Sequence, residues 1–174
     1  LIDIHTIGAG GGSMIWTDDG GMLRVGPQSA GANPGPACYG RGGQAPTLTD
    51  AHVIRNTVRP EAFLGGRMAI SSERSRAVFQ PIADQLEMSL EDAADSAVQL
   101  TNANVGRAIQ LVSTERGFDP RDYVLVPFGG AGPLHAASVA SDLGIAQVVV
   151  PPSAGVISAY GLIASDFTQF TSFF

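Results

Sequence analysis

One segment near the carboxyl end of this chain constrains its fold more than any other. Two apolar runs, Tyr123–Phe128 and Val148–Val150, flank a helical pattern at Pro133–Leu143 that ends at Gly144. A tight turn, Gly129–Gly132, joins the first run to the helix. Continuously apolar strands joined through a helix are typical of a parallel sheet covered by helices. The chain is therefore predicted to be an α/β protein.

The amino-terminal residues predict strands around a glycine loop. Strands are expected at Ile2–Ile7, Ser13–Thr17 and Met22–Val25, the last two closed by the turn 18–21. Between the first two lies Gly8-Ala9-Gly10-Gly11-Gly12. Glycines let backbone N–H groups converge on an anion without intervening side chains. We interpret this segment as a phosphate loop, the alternative being a tight hairpin bulge.

Helices are predicted between these two regions. A short helix is expected at Thr49–Val58, and a helix from Ser71 or Ser72 to about Met88 that Pro81 should kink or divide. Ser89 with Asp92 resembles a capping box, and the apolar face that follows predicts the longest helix, up to Gly117. A last short helix is expected from Val156 or Ile157 to Ala164.

Residues 26–46 are rich in glycine and proline, which no regular element tolerates at this density. Loops of this length inside a compact domain are functional or disordered, and the few charges here favour a functional loop or lid. The 174 residues suit a single domain. Because Leu1 opens directly on an apparent strand, we expect the chain to be a fragment of a longer protein.

Charge and cysteine usage exclude several function classes. All ten basic residues are arginine, which excludes a P-loop lysine and a lysine Schiff base within the chain. The net charge of −6 without an arginine cluster makes a nucleic-acid surface unexpected. No apolar run reaches the roughly 20 residues that a membrane helix needs. Cys38 has no internal partner, so a reducing, cytoplasmic location is expected.

The turn before the last long helix is a second candidate binding loop. Gly129, Gly130 and Gly132 place bare backbone at a helix N-terminus, where anions or a nucleotide can approach. His135 occupies the position of the third glycine in a dinucleotide fingerprint, so a Rossmann site is not expected. The alternative is a close strand-to-helix turn without a ligand.

Asp3, His5 and Asp50 form a candidate set of metal ligands. Asp3 and His5 lie two apart on one strand face, and carboxylate with imidazole suits Mg, Mn or Zn. Two alternatives remain open, because an Asp in Thr49-Asp50 also suits a helix cap and a lone His is often hydrogen-bonded in a core. His135 belongs to the same set of candidate hard ligands, and the individual roles of His52 and His135 stay open.

Three further residues carry open alternatives. Cys38 is either a nucleophile activated by a nearby His or a small buried residue, and the second reading is favoured because free Cys packs as a compact apolar group. Asn102 and Asn104 interrupt the long helix and either line a site or cap a neighbouring backbone.

Taken in order, several of these motifs resemble the hydantoinase A and 5-oxoprolinase family, which also includes acetone and acetophenone carboxylase subunits. The resemblance extends from Asp3 to about Asp166 and rests on residues 3–13, 31–40, 49–51, 115–117 and 128–136. It implies the actin-like ATPase fold, of which this chain would be the C-terminal, ribonuclease-H-like half, with a mixed sheet and packed helices. The family more usually has Asn where this chain has His52.

By the same resemblance, Gly8, Gly10, Gly11, Gly12 and Ser13 would bind the phosphates of ATP, and Gly129, Gly130 and Gly132 the adenosine. Asp3, His5 and Asp50 would be metal or phosphate-side ligands. The residues that catalyse the reaction are not identified, although Arg41, Arg107 or Arg116 is a candidate to assist. The tail 167–174 departs from the family pattern.

The implied activity is ATP-dependent opening of a cyclic amide, a hydantoin or 5-oxoproline, through phosphorylation of the amide oxygen. The alternatives are a ketone carboxylase subunit, a non-catalytic assembly subunit and a relative of the actin-like sugar or acetate kinases. A hydantoinase B-type subunit or domain is the expected partner, in an oligomer. The isolated fragment is expected to be inactive and to expose the apolar face that meets the other half.

Overall fold

The computed structural model describes residues 4–167, which form five α-helices and two small sheets. The elements are β1 (Ser13–Thr17), β2 (Leu23–Ser29), α1 (Leu48–Ile54), α2 (Ser72–Gln85), α3 (Leu90–Val112), β3 (Val124–Leu125), α4 (Gly132–Leu143), β4 (Gln147–Val148) and α5 (Ile157–Ala164). The pair β1–β2 is antiparallel and β3–β4 is parallel. The α/β class is confirmed, whereas the ribonuclease-H-like half of an actin-like ATPase stays a prediction.

The strands differ most from the sequence-based expectation. Residues 4–7 are irregular, so the strand predicted at Ile2–Ile7 is wrong there, and its first two residues lie outside the described range. β2 continues to Ser29 and takes in the start of the glycine- and proline-rich segment. Conversely, β3 and β4 keep only two residues each. Strand length depends on a hydrogen-bonding neighbour that a local pattern does not reveal.

The helices lie close to their predicted positions. Ser89 caps α3 by accepting the N–H of Asp92, as expected, and the helix ends at Val112, five residues before Gly117. The predicted division at Pro81 is wrong, because α2 runs through this residue to Gln85, whereas the alternative of a kink stays a prediction. Phe79 and Ile82, on either side of this proline, are buried in the interior, and their packing offsets the lost backbone hydrogen bond.

The hydrophobic core joins the hairpin to the first three helices. Small side chains on α3 let the neighbouring elements approach closely, and the larger residues fill the space between them. The cluster comprises Ile15, Leu48, Ala51, Phe79, Ala94, Ala97 and Val98, with Leu23, Val25, Ile54 and Leu90 at its edge. This core fixes α1, which carries several of the polar residues described below.

Apart from this core, a further group of apolar side chains is exposed to solvent. The valines of the parallel sheet region, among them Val126 and Val150, are about half exposed, and nearly all of α5 is accessible, with Ile163 84% exposed. The expectation that this chain exposes an apolar face is therefore confirmed for the described residues. None of the helices within residues 4–167 combines the length and apolar character that a membrane crossing requires.

Candidate functional site

The amino-terminal glycine loop is hydrogen-bonded to two other segments of the chain, around Thr49 and around Ala30. The carbonyl of Gly11 accepts hydrogen bonds from both the backbone N–H and the hydroxyl of Thr49, each at 2.9 Å. The carbonyl of Gly12 accepts from the N–H of Ala30 at 2.8 Å. Within the loop, Ser13 donates its N–H to Gly10 and accepts the N–H of Gly10 on its hydroxyl. The loop is therefore an ordered structure fixed to the start of α1.

The glycines of this loop are needed for different reasons. A Cβ on Gly11 would lie 2.7 Å from the hydroxyl of Thr49, and one on Gly12 would lie 2.7 Å from the hydroxyl of Ser29. A Cβ on Gly8 would lie 3.2 Å from Pro27. Gly10, by contrast, has no atom within 4 Å of its missing Cβ. Packing explains the other three glycines, whereas Gly10 leaves open space beside the loop.

The second glycine loop precedes α4. Gly129 has φ +84°, a conformation that favours glycine, and donates its N–H to the carbonyl of Ala154 at 2.8 Å. Gly132 begins α4, and its N–H has no acceptor among residues 4–167, whereas Pro133 has no N–H and Leu134 donates its own to the carbonyl of Ala131 at 3.0 Å. A Cβ on Gly130 would project into open space. Nothing in the packing opposes the approach of a ligand to this loop.

A cleft of about 210 Å³ brings the two loops together. Ala9 and Gly10 line it on one side, and residues 125–128 with Ala131 and Gly132 line it on the other. Its floor is formed by α3 and α4, through Thr101, Val105, Ile109, His135, Ala136 and Val139. The lining is mostly apolar with a few polar groups, as is usual for a small-molecule site. Of the residues predicted to bind ATP, Gly10 and Gly132 line this cleft directly.

Three polar side chains contact one another next to the cleft, and one of them, His135, lines it. His135 on α4 places Nδ1 2.7 Å from Oδ1 of Asn102 on α3, and its Nε2 lies 3.5 Å from Nε2 of His52 on α1. With Asn102 as acceptor, His135 carries its proton on Nδ1 and its Nε2 accepts from His52. Nδ1 of His52 is then a bare nitrogen, buried without a partner among residues 4–167.

Both histidines are electrostatically biased towards the neutral form. Burial above all, and then the nearby His135 and Arg55, together lower the pKa of His52 to about 4. Burial, together with Arg55, also lowers the pKa of His135. The pair therefore stays uncharged at neutral pH and links α1 to the helix that follows the second glycine loop.

Asp50 is a buried carboxylate with five protein donors. It accepts the backbone N–H groups of Ala37, Cys38 and Thr47, and the hydroxyls of Thr47 and Ser75, over 2.7–3.2 Å. With Thr47 it forms the capping box of α1. These bonds hold the glycine- and proline-rich segment against α1 and α2, in agreement with the helix-cap alternative considered for this residue.

Within residues 4–167, the structure does not bring the predicted metal ligands together. His5 is exposed, Asp50 is enclosed by the donors just named, and Asp3 lies outside the described range. Within residues 4–167, no group of three or more His, Cys, Asp or Glu side chains is arranged to hold a metal ion. The described donor set does not fit a metal centre, and metal binding at these three residues stays a prediction.

Cys38 is a packing residue. Its side chain is 1% exposed, and burial together with the adjacent Asp50 carboxylate raises the thiol pKa to about 12. A thiol with this pKa supplies almost no thiolate at neutral pH. The structure therefore favours the compact-core alternative over a nucleophile.

Comparison with known proteins assigns this chain to a family. The sequence profile of the hydantoinase/oxoprolinase family matches residues 1–170. The chain belongs to the hydantoinase/oxoprolinase family. The crystal structure of the ATP-dependent caprolactamase of Pseudomonas jessenii shares this fold with a TM-score of 0.85 and 43% identity, over 95% of this chain and 24% of that one.

Two further family members carry different activities in their names. The chain is 40% identical to the acetophenone carboxylase gamma subunit of Aromatoleum aromaticum, over 97% of its length and 23% of the relative's. It is 34% identical to the 5-oxoprolinase of Dictyostelium discoideum, over 95% of its length and 14% of the relative's. The chain thus spans about a quarter or less of these relatives.

The sequence left one feature of the site unrecognised. In the sequence, His52, Asn102 and His135 are isolated polar residues, and nothing in their separations of 50 and 33 positions indicates that they meet. The only available signal is that each is a polar residue placed on an apolar helix face.

Proposed function

We propose that the chain is the nucleotide-binding part of an ATP-dependent enzyme that opens a cyclic amide of the hydantoin or 5-oxoproline type. The observation that carries this proposal is the single cleft faced by both glycine loops, with Gly10 on one side and Gly132 on the other. Membership of the hydantoinase/oxoprolinase family supports the same conclusion.

The residues present fit a nucleotide. Gly10 lacks a side chain and has open space beside it, so phosphate oxygens can approach the loop there, although its own N–H is donated to Ser13. Gly129 and Gly130 leave open space for the adenosine just before α4. The apolar floor of Val105, Ile109 and Val139 excludes water from one side of the bound molecule. This arrangement holds phosphates through backbone amides and has no need of lysine.

A cyclic amide resists hydrolysis because resonance with nitrogen stabilises its carbonyl. Bound ATP would supply a phosphoryl group that converts the amide oxygen into a leaving group; the balance is amide, ATP and water giving the opened amino acid, ADP and phosphate. The chain's own role is to orient the nucleotide and to stabilise charge on its phosphates through loop amides.

A ketone carboxylase is the second candidate, because the acetophenone carboxylase gamma subunit is nearly as similar to this chain as the caprolactamase is. Both relatives are named as subunits, "gamma" in one case and "alpha" in the other. We therefore propose that a further subunit or domain, of the hydantoinase B type, completes the substrate site in an oligomer.

Calorimetric titration of Mn·ADP into the full-length protein tests the nucleotide site. Saturable binding is expected, and Gly130→Val should abolish it, because its side chain enters open space at the loop without disturbing the packing. Gly161→Val, on exposed α5, is the matched control and should bind normally. Absence of binding up to millimolar ADP, where only about 4 kcal/mol is needed, contradicts the proposal.

If the protein binds the nucleotide, the substrate class can be identified by measuring the rate of ATP hydrolysis with different candidate substrates added. Stimulation by 5-oxoproline or a hydantoin supports the amide hydrolase, and stimulation by a ketone with bicarbonate supports the carboxylase. Hydrolysis that is indifferent to all of these, despite tight ADP binding, argues against both.

A further inference from the structure

His135 holds α4 to two other helices through hydrogen bonds. Its Nδ1 lies 2.7 Å from Oδ1 of Asn102 on α3, and its Nε2 lies 3.5 Å from Nε2 of His52 on α1. Within residues 4–167, no other α4 side chain hydrogen-bonds to another helix. The other buried residues of α4 are apolar: Ala136, Val139 and Ala140. Apolar packing has no direction, so the orientation of α4 depends on His135.

The amino-terminal end of α4 has little else to fix it. Ala131 occupies the capping position and supplies no side-chain hydrogen bond. A Cβ on Gly129 or Gly130 would meet no atom within 4 Å, so packing does not hold the loop there. Among the described residues, one backbone hydrogen bond ties this loop to a distant segment, from Gly129 to Ala154. The side chain of His135, in the first turn of α4, is therefore the main polar contact that sets the position of this end.

The contact between His52 and His135 also connects the two glycine loops. Thr49, which binds the carbonyl of Gly11, lies three residues before His52 on α1. Gly132 lies three residues before His135 on α4. Both separations are shorter than one helical turn. A displacement of either ring would therefore change the spacing of the two loops across the cleft.

Stability alone does not account for a histidine at position 52. His52 is fully buried, and its Nδ1 has no partner within residues 4–167. An unpaired buried polar atom destabilises the folded state, whereas an apolar side chain of similar size, such as leucine, avoids this cost. The two rings meet edge-on with their centroids 5.0 Å apart, which gives the contact a direction that leucine would lack.

Resting on the function proposed above, we propose that Asn102, His135 and His52 are positioning residues that hold the two glycine loops at the spacing a nucleoside diphosphate requires. A nucleoside diphosphate contacts both loops at once, so its affinity depends on the distance between them. Adenosine alone contacts the second loop, and pyrophosphate alone contacts the first. The three side chains therefore matter for a ligand that spans the cleft and not for either of its parts.

Calorimetric titration of the full-length protein with three ligands, Mn·ADP, adenosine and Mn·pyrophosphate, separates positioning from folding. Asn102→Leu removes the acceptor of His135 and keeps a side chain of similar size, so it should weaken Mn·ADP by about tenfold or more. Adenosine and Mn·pyrophosphate should each stay within about twofold. Asn102→Asp retains an acceptor oxygen and should restore most of the ADP affinity.

Asn104→Leu is the matched control, because it makes the same chemical change on the same helix and Asn104 does not line the cleft faced by the two glycine loops. It should leave all three affinities unchanged. His52→Leu tests the link to α1 separately, since the hydrogen bond between Asn102 and His135 stays in place. It should weaken Mn·ADP with the same selectivity, and it carries the test if Asn102→Leu does not fold.

Several outcomes overturn the positioning role alone. These are equal weakening of all three ligands, unchanged ADP affinity in Asn102→Leu and His52→Leu, and no binding of adenosine or Mn·pyrophosphate to the unmodified protein at millimolar concentrations. Loss of folding in both variants, measured by thermal unfolding, assigns the three side chains to stability and overturns it as well. Failure of the unmodified protein to bind Mn·ADP overturns the nucleotide site and this inference with it.

Discussion

Nε2 of His52 lies 3.5 Å from Nε2 of His135, and this contact connects the supports of the two glycine loops. His52 is on α1, three residues after Thr49, whose hydroxyl and N–H hold Gly11. His135 is in the first turn of α4, three residues after Gly132. The helix α1 therefore holds the first glycine loop and, through a buried ring, contacts the helix that follows the second glycine loop.

The histidine pair predicts a pH dependence of local stability. The folded pKa of His52, about 4, lies below the unfolded value of 6.5, so only the unfolded state binds a proton between these values. Stability should therefore be highest above pH 6.5 and fall towards pH 4, by roughly 3 kcal/mol for this group. Hydrogen exchange of α1 peptides, normalised to intrinsic rates at each pH, measures it.

Replacement of His52 by Asn should flatten this pH profile, whatever it does to stability at pH 8. His5→Asn is the control, because His5 is exposed and should leave the profile unchanged. A profile that remains equally steep in His52→Asn assigns the acid sensitivity to other groups.

Adjacent glycines of the first loop should respond oppositely to alanine. Gly11→Ala places a Cβ 2.7 Å from the hydroxyl of Thr49, so it should destabilise the loop and α1 by about 1–3 kcal/mol. Gly10→Ala meets no atom within 4 Å and should leave stability within about 0.5 kcal/mol, while weakening Mn·ADP binding. Exchange protection and calorimetry on both variants separate the effects. Normal ADP affinity in Gly10→Ala would place the phosphates elsewhere.

Asp50 is expected to act as a structural anchor. Asp50→Asn turns an amide N–H₂ towards either the two donors at Oδ1 or the three donors at Oδ2, and should cost about 3 kcal/mol or more in the stability of residues 37–54. Ser75→Ala removes one donor and should cost about 1 kcal/mol. Exchange protection of this segment tests both. Unchanged protection in Asp50→Asn, together with lost Mn²⁺ affinity, would instead support the predicted metal role.

Cys38 should resist modification in the folded protein. With its pKa raised from 9.0 to about 12, its thiolate fraction at pH 8 is roughly a thousandfold below that of an ordinary thiol, and its side chain is enclosed. Mass spectrometry after iodoacetamide treatment should find Cys38 labelled only in denaturant. Rapid labelling of the native protein would revive the nucleophile alternative.

The helices were predictable because their signals are local. Serine caps, apolar spacing and the left-handed Gly144 all act within a few residues, and α3, α4 and α5 start within about one residue of their predicted positions. Pro81 shows the limit of such signals: its cost to α2 is local, whereas the burial of Phe79 and Ile82 that outweighs it is tertiary.

By itself, the sequence determined the α/β class, the two glycine loops and the family, because these depend on residue types in short, ordered motifs. Only the tertiary structure decided which glycines are required by packing and which have open space beside them, since that depends on the positions of Thr49 and Ser29, which lie in other segments of the chain. It also decided that Arg107 and not Arg41 faces a cleft beside the loop, and that His52 meets His135. Contacts between residues tens of positions apart follow from how the helices pack, which no local pattern encodes.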